Sequence, residues 1–366
     1  MKVLHIITRM NTGGPAVFLD HLTKKLEDLN CHNIIAYGYC EGNESDYTSN
    51  HKFISELIKI KSLHRSLQPI DDIRAFFQLR KVIKQVKPDL IQTHTSKAGV
   101  LGRLAAKSVS KKLPVVHTFH GHLIYGYFAK YKSVVFTIIE KFMALFTDAA
   151  VAVTNETKKS LISLGIGSKL KWRVIQIGVP VKNKSTKQLS SSEGLKLLWV
   201  GRFTDIKDPF YAIEVIKSLA NSNIKLTMVG EGELFEKAKL AAKDAPINFT
   251  GWLLNPFENI EEFDLLMLTS KNEGLPLVIL EAANCSRATI TRNVGGVGEF
   301  VKNNQSGYLI DSGPEKMAEK LITIAKNKSE LITTGEFAYK LLTEEFSVEK
   351  MADKYLSLYS ELIVRN

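Results

Sequence analysis

Short β-rich runs alternate with amphipathic helical patterns along almost the whole chain, and this alternation limits the fold more than any other feature. A strand, a helix and another strand in succession bury their apolar faces by laying helices on a parallel sheet. In the first half, strand-like runs fall at residues 3–7, 33–38, 90–93, 115–119 and 149–153, and 172–177 closes the series. Helical patterns lie between them at 15–29, 72–86, 97–108 and 155–164. Gly178-Val179-Pro180 then opens a Ser- and Lys-rich stretch, 182–194, with the composition of a linker. The rhythm restarts at Leu195 (LKLLWVGR) and continues with strands at 225–229, 247–250, 264–268, 289–291 and 307–310. The tail, 348–362, has amphipathic helical spacing.

A chain of 366 residues is long for one α/β core and comfortable for two. The expected division is an N-terminal domain over 1–180, a linker over 181–194, a second domain over 195–345 and a closing segment over 346–366. Two domains with a cleft between them is the natural reading.

Three scattered cysteines (Cys31, Cys40, Cys285) without a CxxC pair argue against a disulfide framework or a zinc site, and for a reducing, cytoplasmic compartment. The opening MKVLHIIT runs straight into a strand, so no cleavable signal peptide is read. No apolar run reaches the roughly 18 to 20 residues that a membrane span needs. The nearest stretch, 133–146, carries Glu140 and Lys141 in its middle and reads as a buried or interfacial helix. A net charge of +11 suits anionic partners. The lysines are dispersed and no nucleic-acid-binding motif is present, so nucleic acid is not an expected partner.

Two segments carry the chemistry. In VGRFTDIKDP (200–209), Arg202 ends a strand and Lys207 precedes a helix N-terminus, with Asp208 as N-cap and Pro209 as first helical residue. Two cations beside free backbone N–H groups form an anion site. Local pattern alone also allows a solvated loop. In NEGLPLVILEAANC (272–285), Pro276 marks a helix start and Glu273 and Glu281 stand eight positions apart. Glu281 lies about five residues into the helix, roughly 7.5 Å along its axis, and leans back toward the N-terminus. Both carboxylates can face one ligand, and sugar or ribose hydroxyls suit them better than phosphate. The bland alternative is one carboxylate helping the helix dipole and one surface charge.

Glycine turns follow strands at Gly13-Gly14, Gly201, Gly230 and Gly295-Gly296. The first lacks the G-x-G-x-x-G spacing of a dinucleotide site, which disfavours a nicotinamide enzyme. Histidines gather at strand ends: His94, then His117, His120 and His122 in HTFHGH. His117 and His120 fall on opposite faces of one strand, so at least one is structural. His120-Gly121-His122 has no cysteine or carboxylate partner pattern, so no metal site is read. Ser96 and Lys97 open a helix, as an anion pocket or as a plain cap with a surface lysine.

Together these segments resemble the retaining, GT-B-fold glycosyltransferases of glycosyltransferase family 4, over nearly the whole chain. The carriers are NEGLPLVILEA with its E-x7-E pair and VGRFTDIKD with Arg202 and Lys207, supported by VGEGE, NFTGW and NVGGVGE. GGP, PDLIQTHTSKAG and HTFHGH resemble bacterial polysaccharide-building members. The resemblance implies an α/β architecture of two Rossmann-like parallel-sheet domains facing each other across a cleft. It implies that Arg202 and Lys207 hold the donor diphosphate in place of a metal, so no cofactor is expected beyond a nucleoside-diphosphate sugar. Glu281 would bind the ribose, and Glu273 with the Asn272, Gly274, Leu275 and Pro276 backbone the donor sugar. His120 would lie near the transferred sugar, with His94 and Lys97 at the neighbouring strand end. Gly13 and Gly14 would line the phosphates, and Trp252 and Leu253 the base. The closing helix would cross back onto the first domain.

For the acceptor, residues 123–131 interleave aromatic, apolar and basic side chains, and Arg74, Arg80, Lys81, Lys84 and Lys87 form a basic stripe. An anionic membrane surface and a lipid-linked saccharide acceptor fit them, and so does a solvated basic face. A sugar-nucleotide epimerase of like architecture and a non-catalytic nucleotide-sugar-binding subunit are the rival readings. The latter would be expected to lose Arg202, Lys207 or Glu281, and all three are present.

Overall fold

The long apolar runs of the sequence are interior strands of parallel sheets in the computed structural model, which describes residues 1–42, 44–121, 130–183, 194–220 and 222–364. The linker at 184–193, His122 and the aromatic stretch up to residue 129 lie outside the described residues, as do the side chains of 130–132. The chain divides into two units. One holds the described residues up to Pro180 and the chain from Ser347 onward; the other holds the described residues of 181–346.

In the first unit, β1 (Lys2–Arg9) is buried without a break from Val3 to Thr8, as a strand covered on both faces must be. Helix α1 (Gly14–Asp28) returns to β2 (His32–Gly38), and the short α2 (Tyr47–Asn50) precedes β3 (Glu56–Lys59). Then come α3 (Pro69–Val86), β4 (Leu90–His94), α4 (Ser96–Val109), β5 (Val115–Phe119) and α5 (Lys130–Met143). The unit continues with β6 (Ala149–Ala152), α6 (Asn155–Ser163) and β7 (Lys171–Val174). Among the described residues the sheet order is β3-β2-β1-β4-β5-β6-β7, all parallel.

One face of this sheet is covered by α4, which packs on β1, β4 and β5 and against α3. Arg103 of α4 is sealed against α5 by a two-pronged pair with Glu140 at 2.8 and 2.9 Å, both side chains about 1% exposed. The apolar stretch around Glu140 is thus a helix with one buried charged pair, and removing one partner of such a pair typically costs about 3–5 kcal/mol.

The second unit repeats the pattern. It runs β8 (Leu195–Val200), α7 (Pro209–Ser218), β9 (Ile224–Val229), α8 (Phe235–Ala241), β10 (Ile247–Gly251) and β11 (Leu265–Leu268). It closes with α9 (Leu277–Asn284), β12 (Ala288–Arg292), β13 (Gly307–Ile310), α10 (Pro314–Lys326) and α11 (Glu330–Glu345). The order β10-β9-β8-β11-β12-β13 is again wholly parallel. Trp199, Phe203, Met228, Leu265, Ile290 and Tyr308 belong to its buried core.

The tail helix α12 (Val348–Val364) buries Val348, Met351, Ala352, Tyr355, Leu358, Tyr359 and Leu362, a stripe at i, i+3, i+4 and i+7. It packs on α1 of the first unit. The Val348 N–H donates to the Val179 carbonyl at 3.0 Å. Tyr359 donates its hydroxyl hydrogen to Gln92 on β4, and the Tyr355 hydroxyl lies 3.4 Å from that of Thr118 on β5.

Candidate active site

Strands of a parallel sheet end along one edge, so loops far apart in sequence converge there. In the second unit that edge collects the residues after β8, β9, β11 and β12. Gly201 continues the ladder by donating to Val229 O. Gly230 has φ +130°, and a Cβ there would lie 2.0 Å from Gly201 O, so the two loops touch backbone to backbone. Arg202 is exposed at this edge, and its guanidinium pairs with no carboxylate among the described residues.

Lys207 Nζ meets Glu273 Oε1 at 2.5 Å, and Ser270 donates its hydroxyl hydrogen to the same oxygen at 2.6 Å. The two segments picked from the sequence are therefore joined by an ion pair. The backbone carrying Glu273 is held from behind. Gly295, at φ +54°, approaches so closely that a Cβ would lie 1.9 Å from Glu273 O, and Gly296 N donates to that oxygen at 3.1 Å. Asn272 lies against the same turn, while Gly274, Leu275 and Pro276 are buried. Pro276 stands at the N-cap position of α9, without a side-chain cap bond, and the helix begins where the spacing puts it.

Asp208 differs from expectation. It occupies the N-cap position of α7 but adopts a left-handed φ of +50°, and its carboxylate does not cap the helix. It accepts from Arg292 Nη1 at 3.0 Å instead. Arg292 also donates to Thr269 O at 3.2 Å and stacks 4.7 Å over the Tyr211 ring. Thr269 Oγ1 donates to the Lys207 and Asp208 carbonyls at 3.1 and 3.0 Å and accepts from Trp199 Nε1 at 3.0 Å. Thr269, Ser270 and Arg292 were not singled out from the sequence. Their only signal is position, since Thr269 and Ser270 are the two residues after β11 and Arg292 ends β12.

Glu281 is the fifth residue of α9. It keeps some surface contact, yet burial of its carboxyl raises the pKa from the ordinary 4.5 to about 7, against a smaller downward pull from Lys182. Trp252 and Leu253 follow β10 as partly exposed apolar side chains, 46% and 41%.

In the first unit, Gly13 caps α1 and Gly14 begins it, with Gly13 O accepting from Ala16 and Val17. Lys97 is held by the Asp72 carboxylate and donates to Ser66 O. His117 and His120 do point to opposite faces. His117 is fully buried and bonds Thr93 at 2.8 Å under α4, whereas His120 stands at the strand end on the face covered by α1 and α12. His120 Nε2 lies 3.0 Å from His94 Nδ1, and His94 Nε2 lies 3.4 Å from His5 Nδ1. His5 Nε2 bonds Asn33 Oδ1 at 2.9 Å. His94 is thus wholly interior, behind His120. Burial holds His5 and His120 down at about 4 and His94 well below its ordinary value, with His120 and His5 themselves lowering His94 further.

Comparison with known proteins identifies the family and the fold. Residues 12–183 match the model described as "Glycosyltransferase Family 4" and residues 181–341 that described as "Glycosyl transferases group 1". The chain is 30% identical to UDP-Gal:alpha-D-GlcNAc-diphosphoundecaprenol alpha-1,3-galactosyltransferase of Escherichia coli, over 83% of this chain and 84% of that one. It is 28% identical to the O-antigen biosynthesis glycosyltransferase WbnH of Escherichia coli, over 86% and 88%. Its fold superposes on the Anabaena protein Alr3699/HepE, solved with UDP and glucose, with a TM-score of 0.80 at 18% identity, covering 99% of this chain and 100% of that one. Two parallel-sheet α/β units of this topology, matched by both models along their lengths, make the chain a glycosyltransferase of family 4 with the GT-B fold.

Proposed function

We propose that the chain transfers a sugar from a nucleoside-diphosphate sugar, a UDP-sugar, to a hydroxyl of a lipid-linked saccharide, with retention at the anomeric carbon and without a metal ion. The observation carrying this reading is the joining of Lys207 to the Glu273 turn beside Arg202. Cleaving a sugar–phosphate bond puts negative charge on the departing diphosphate, and preorganised cations stabilise it as it grows. Arg202 offers a bidentate donor set, and Lys207 is oriented in advance by Glu273. Gly230 lets its loop close directly on the Gly201 carbonyl, which sets the backbone at the strand ends where the phosphates are placed. Glu273 and the Asn272–Pro276 turn take the sugar, Glu281 the ribose hydroxyls, and Trp252 and Leu253 the base. His120 takes a hydroxyl of the transferred sugar, with Gly13 and Gly14 at the phosphates. The galactosyltransferase relative, named for a UDP-Gal donor and a diphosphoundecaprenol-linked acceptor, supports both substrate classes.

Release of nucleoside diphosphate across UDP-, GDP- and ADP-sugars tests the donor reading. Turnover of one UDP-sugar is expected, unaffected by a chelator, and lower by about 100-fold or more in Arg202→Ala. No turnover of any donor, or full activity in the variant, contradicts it.

Glu281 gives a pH test. A carboxyl raised to about 7 is mostly protonated at pH 6, yet only the carboxylate accepts from both ribose hydroxyls. Nucleotide binding therefore favours the ionised form, releases a proton and strengthens as pH rises. Beyond the titration of the UDP terminal phosphate, whose own pKa is about 6, the rise in UDP affinity from pH 6 to pH 8 is expected to be about tenfold larger in the wild type than in Glu281→Gln. An unchanged slope in Glu281→Gln excludes this residue as its source.

The cytoplasmic, membrane-peripheral reading rests on the first unit. Among the described residues no helix is long and apolar enough to cross a bilayer. Helix α3 exposes Ile70, Ile73 and Phe77 beside Arg74, Lys81 and Lys84, and α5 exposes Val134, Val135, Ile138 and Phe142. Helix α4 lies between them, packed on α3 and paired to α5. Apolar side chains ringed by cations match an anionic bilayer surface. Flotation with phosphatidylglycerol vesicles is expected to show salt-sensitive binding that weakens in the double variant Lys81→Glu/Lys84→Glu; no salt-sensitive binding contradicts it.

A further inference from the structure

We infer that Asn33, acting through His5 and His94, fixes the proton of His120 on Nε2, leaving His120 Nδ1 as a permanent hydrogen-bond acceptor for a sugar hydroxyl. The inference rests on the reading above that His120 meets the transferred sugar, and it adds which role that ring plays and what sets it.

The chain of hydrogen bonds has one consistent direction. The Asn33 amide nitrogen lies against acceptors only, the Cys31 carbonyl at 2.5 Å, the Thr23 carbonyl at 3.4 Å and Glu27 Oε1 at 3.4 Å. Turning the amide over would set its oxygen against those oxygens. Its Oδ1 therefore faces His5 Nε2, which must carry the hydrogen. A neutral imidazole has one N–H, so His5 Nδ1 accepts, and His94 Nε2 donates to it. His94 Nδ1 then accepts, and His120 Nε2 donates to it. The lone pair left over is on His120 Nδ1. That atom is buried and meets no hydrogen-bond partner among the described residues.

The rings stay neutral because burial disfavours the imidazolium in each, so no second proton can reverse the chain. Packing fixes their placement. Phe18 lies edge-on to His120 at 4.8 Å and to His94 and Tyr355 at 6.0 Å, and the His5 and His94 rings are within 22° of parallel with centroids 5.6 Å apart, as an in-plane N–H···N bond requires. An unpaired buried acceptor costs free energy until a donor arrives, and a sugar hydroxyl is one. From this nitrogen His120 cannot protonate a leaving phosphate. It draws the hydrogen of a hydroxyl instead. Asn33, His5 and His94 touch no substrate and are positioning residues.

The test uses the full chain with ¹⁵N-labelled histidine, reading the tautomer of His120 from long-range ¹H–¹⁵N correlations. In the wild type the hydrogen is expected on Nε2; finding it on Nδ1 overturns the inference, whatever the variants do. His5→Phe removes the acceptor that orients His94, so His120 should show a mixture of tautomers and transfer should fall roughly tenfold, the scale carried by outer partners of a working histidine. His5→Asn places an amide oxygen where Nδ1 was and should restore both. A His5→Phe variant that melts earlier but keeps the wild-type tautomer and rate shows a merely structural histidine and overturns the inference. An expected tautomer with unchanged transfer in His120→Ala leaves the relay standing and removes the sugar contact instead.

Discussion

In each sheet every strand runs the same way, and this parallel constraint decides where chemistry can sit. It brings Arg202, Lys207, Gly230, Thr269, Glu273, Arg292 and Gly295, spread over some ninety residues of sequence, to one edge of the second unit. The loops are then locked to one another. Thr269 ties the Lys207 and Asp208 carbonyls to the Trp199 indole, and Arg292 holds Asp208. The Gly295 backbone backs the Glu273 turn at a distance no other residue permits. The result is a rigid frame that presents an exposed guanidinium, an oriented ammonium and a buried carboxyl.

The two units spend their polar residues differently. The second pairs Lys207 with Glu273 at its edge and leaves the Arg202 guanidinium exposed beside no carboxylate among the described residues. The first buries neutral imidazoles in a row, His5, His94 and His120, where a charged group would be costly. Charged groups therefore gather at the edge of the second unit, and directional hydrogen bonding without charge in the interior of the first. A transferase needs both, since the phosphate must be stabilised while the sugar hydroxyls are held in one orientation.

Much of this was legible in the sequence because it depends on local periodicity. The runs at 115–119 and 307–310 coincide with β5 and β13, and the Pro276 helix start with the N-cap position of α9. Strand β3 was missed because Glu56–Lys59 is a short edge strand without a continuous apolar run. Asp208 was misread because capping propensity is local, whereas its left-handed backbone and its bond to Arg292 are tertiary. Arg202, Lys207, Glu273 and Glu281 stood out through motif and charge. Thr269, Ser270 and Arg292 did not, since nothing in their spacing distinguishes them from ordinary strand ends. His5 and Asn33 left one trace, polar residues inside the apolar runs KVLHIIT and HNIIAY, where a buried polar side chain requires a partner.

The most direct measurement is the affinity of UDP against that of UMP, in the wild type and in Lys207→Met and Arg202→Ala. If the paired cations hold the diphosphate, the wild type prefers UDP and both variants lose that preference while still binding UMP. A preference for UDP that survives in both variants would contradict the central claim and place the terminal phosphate elsewhere.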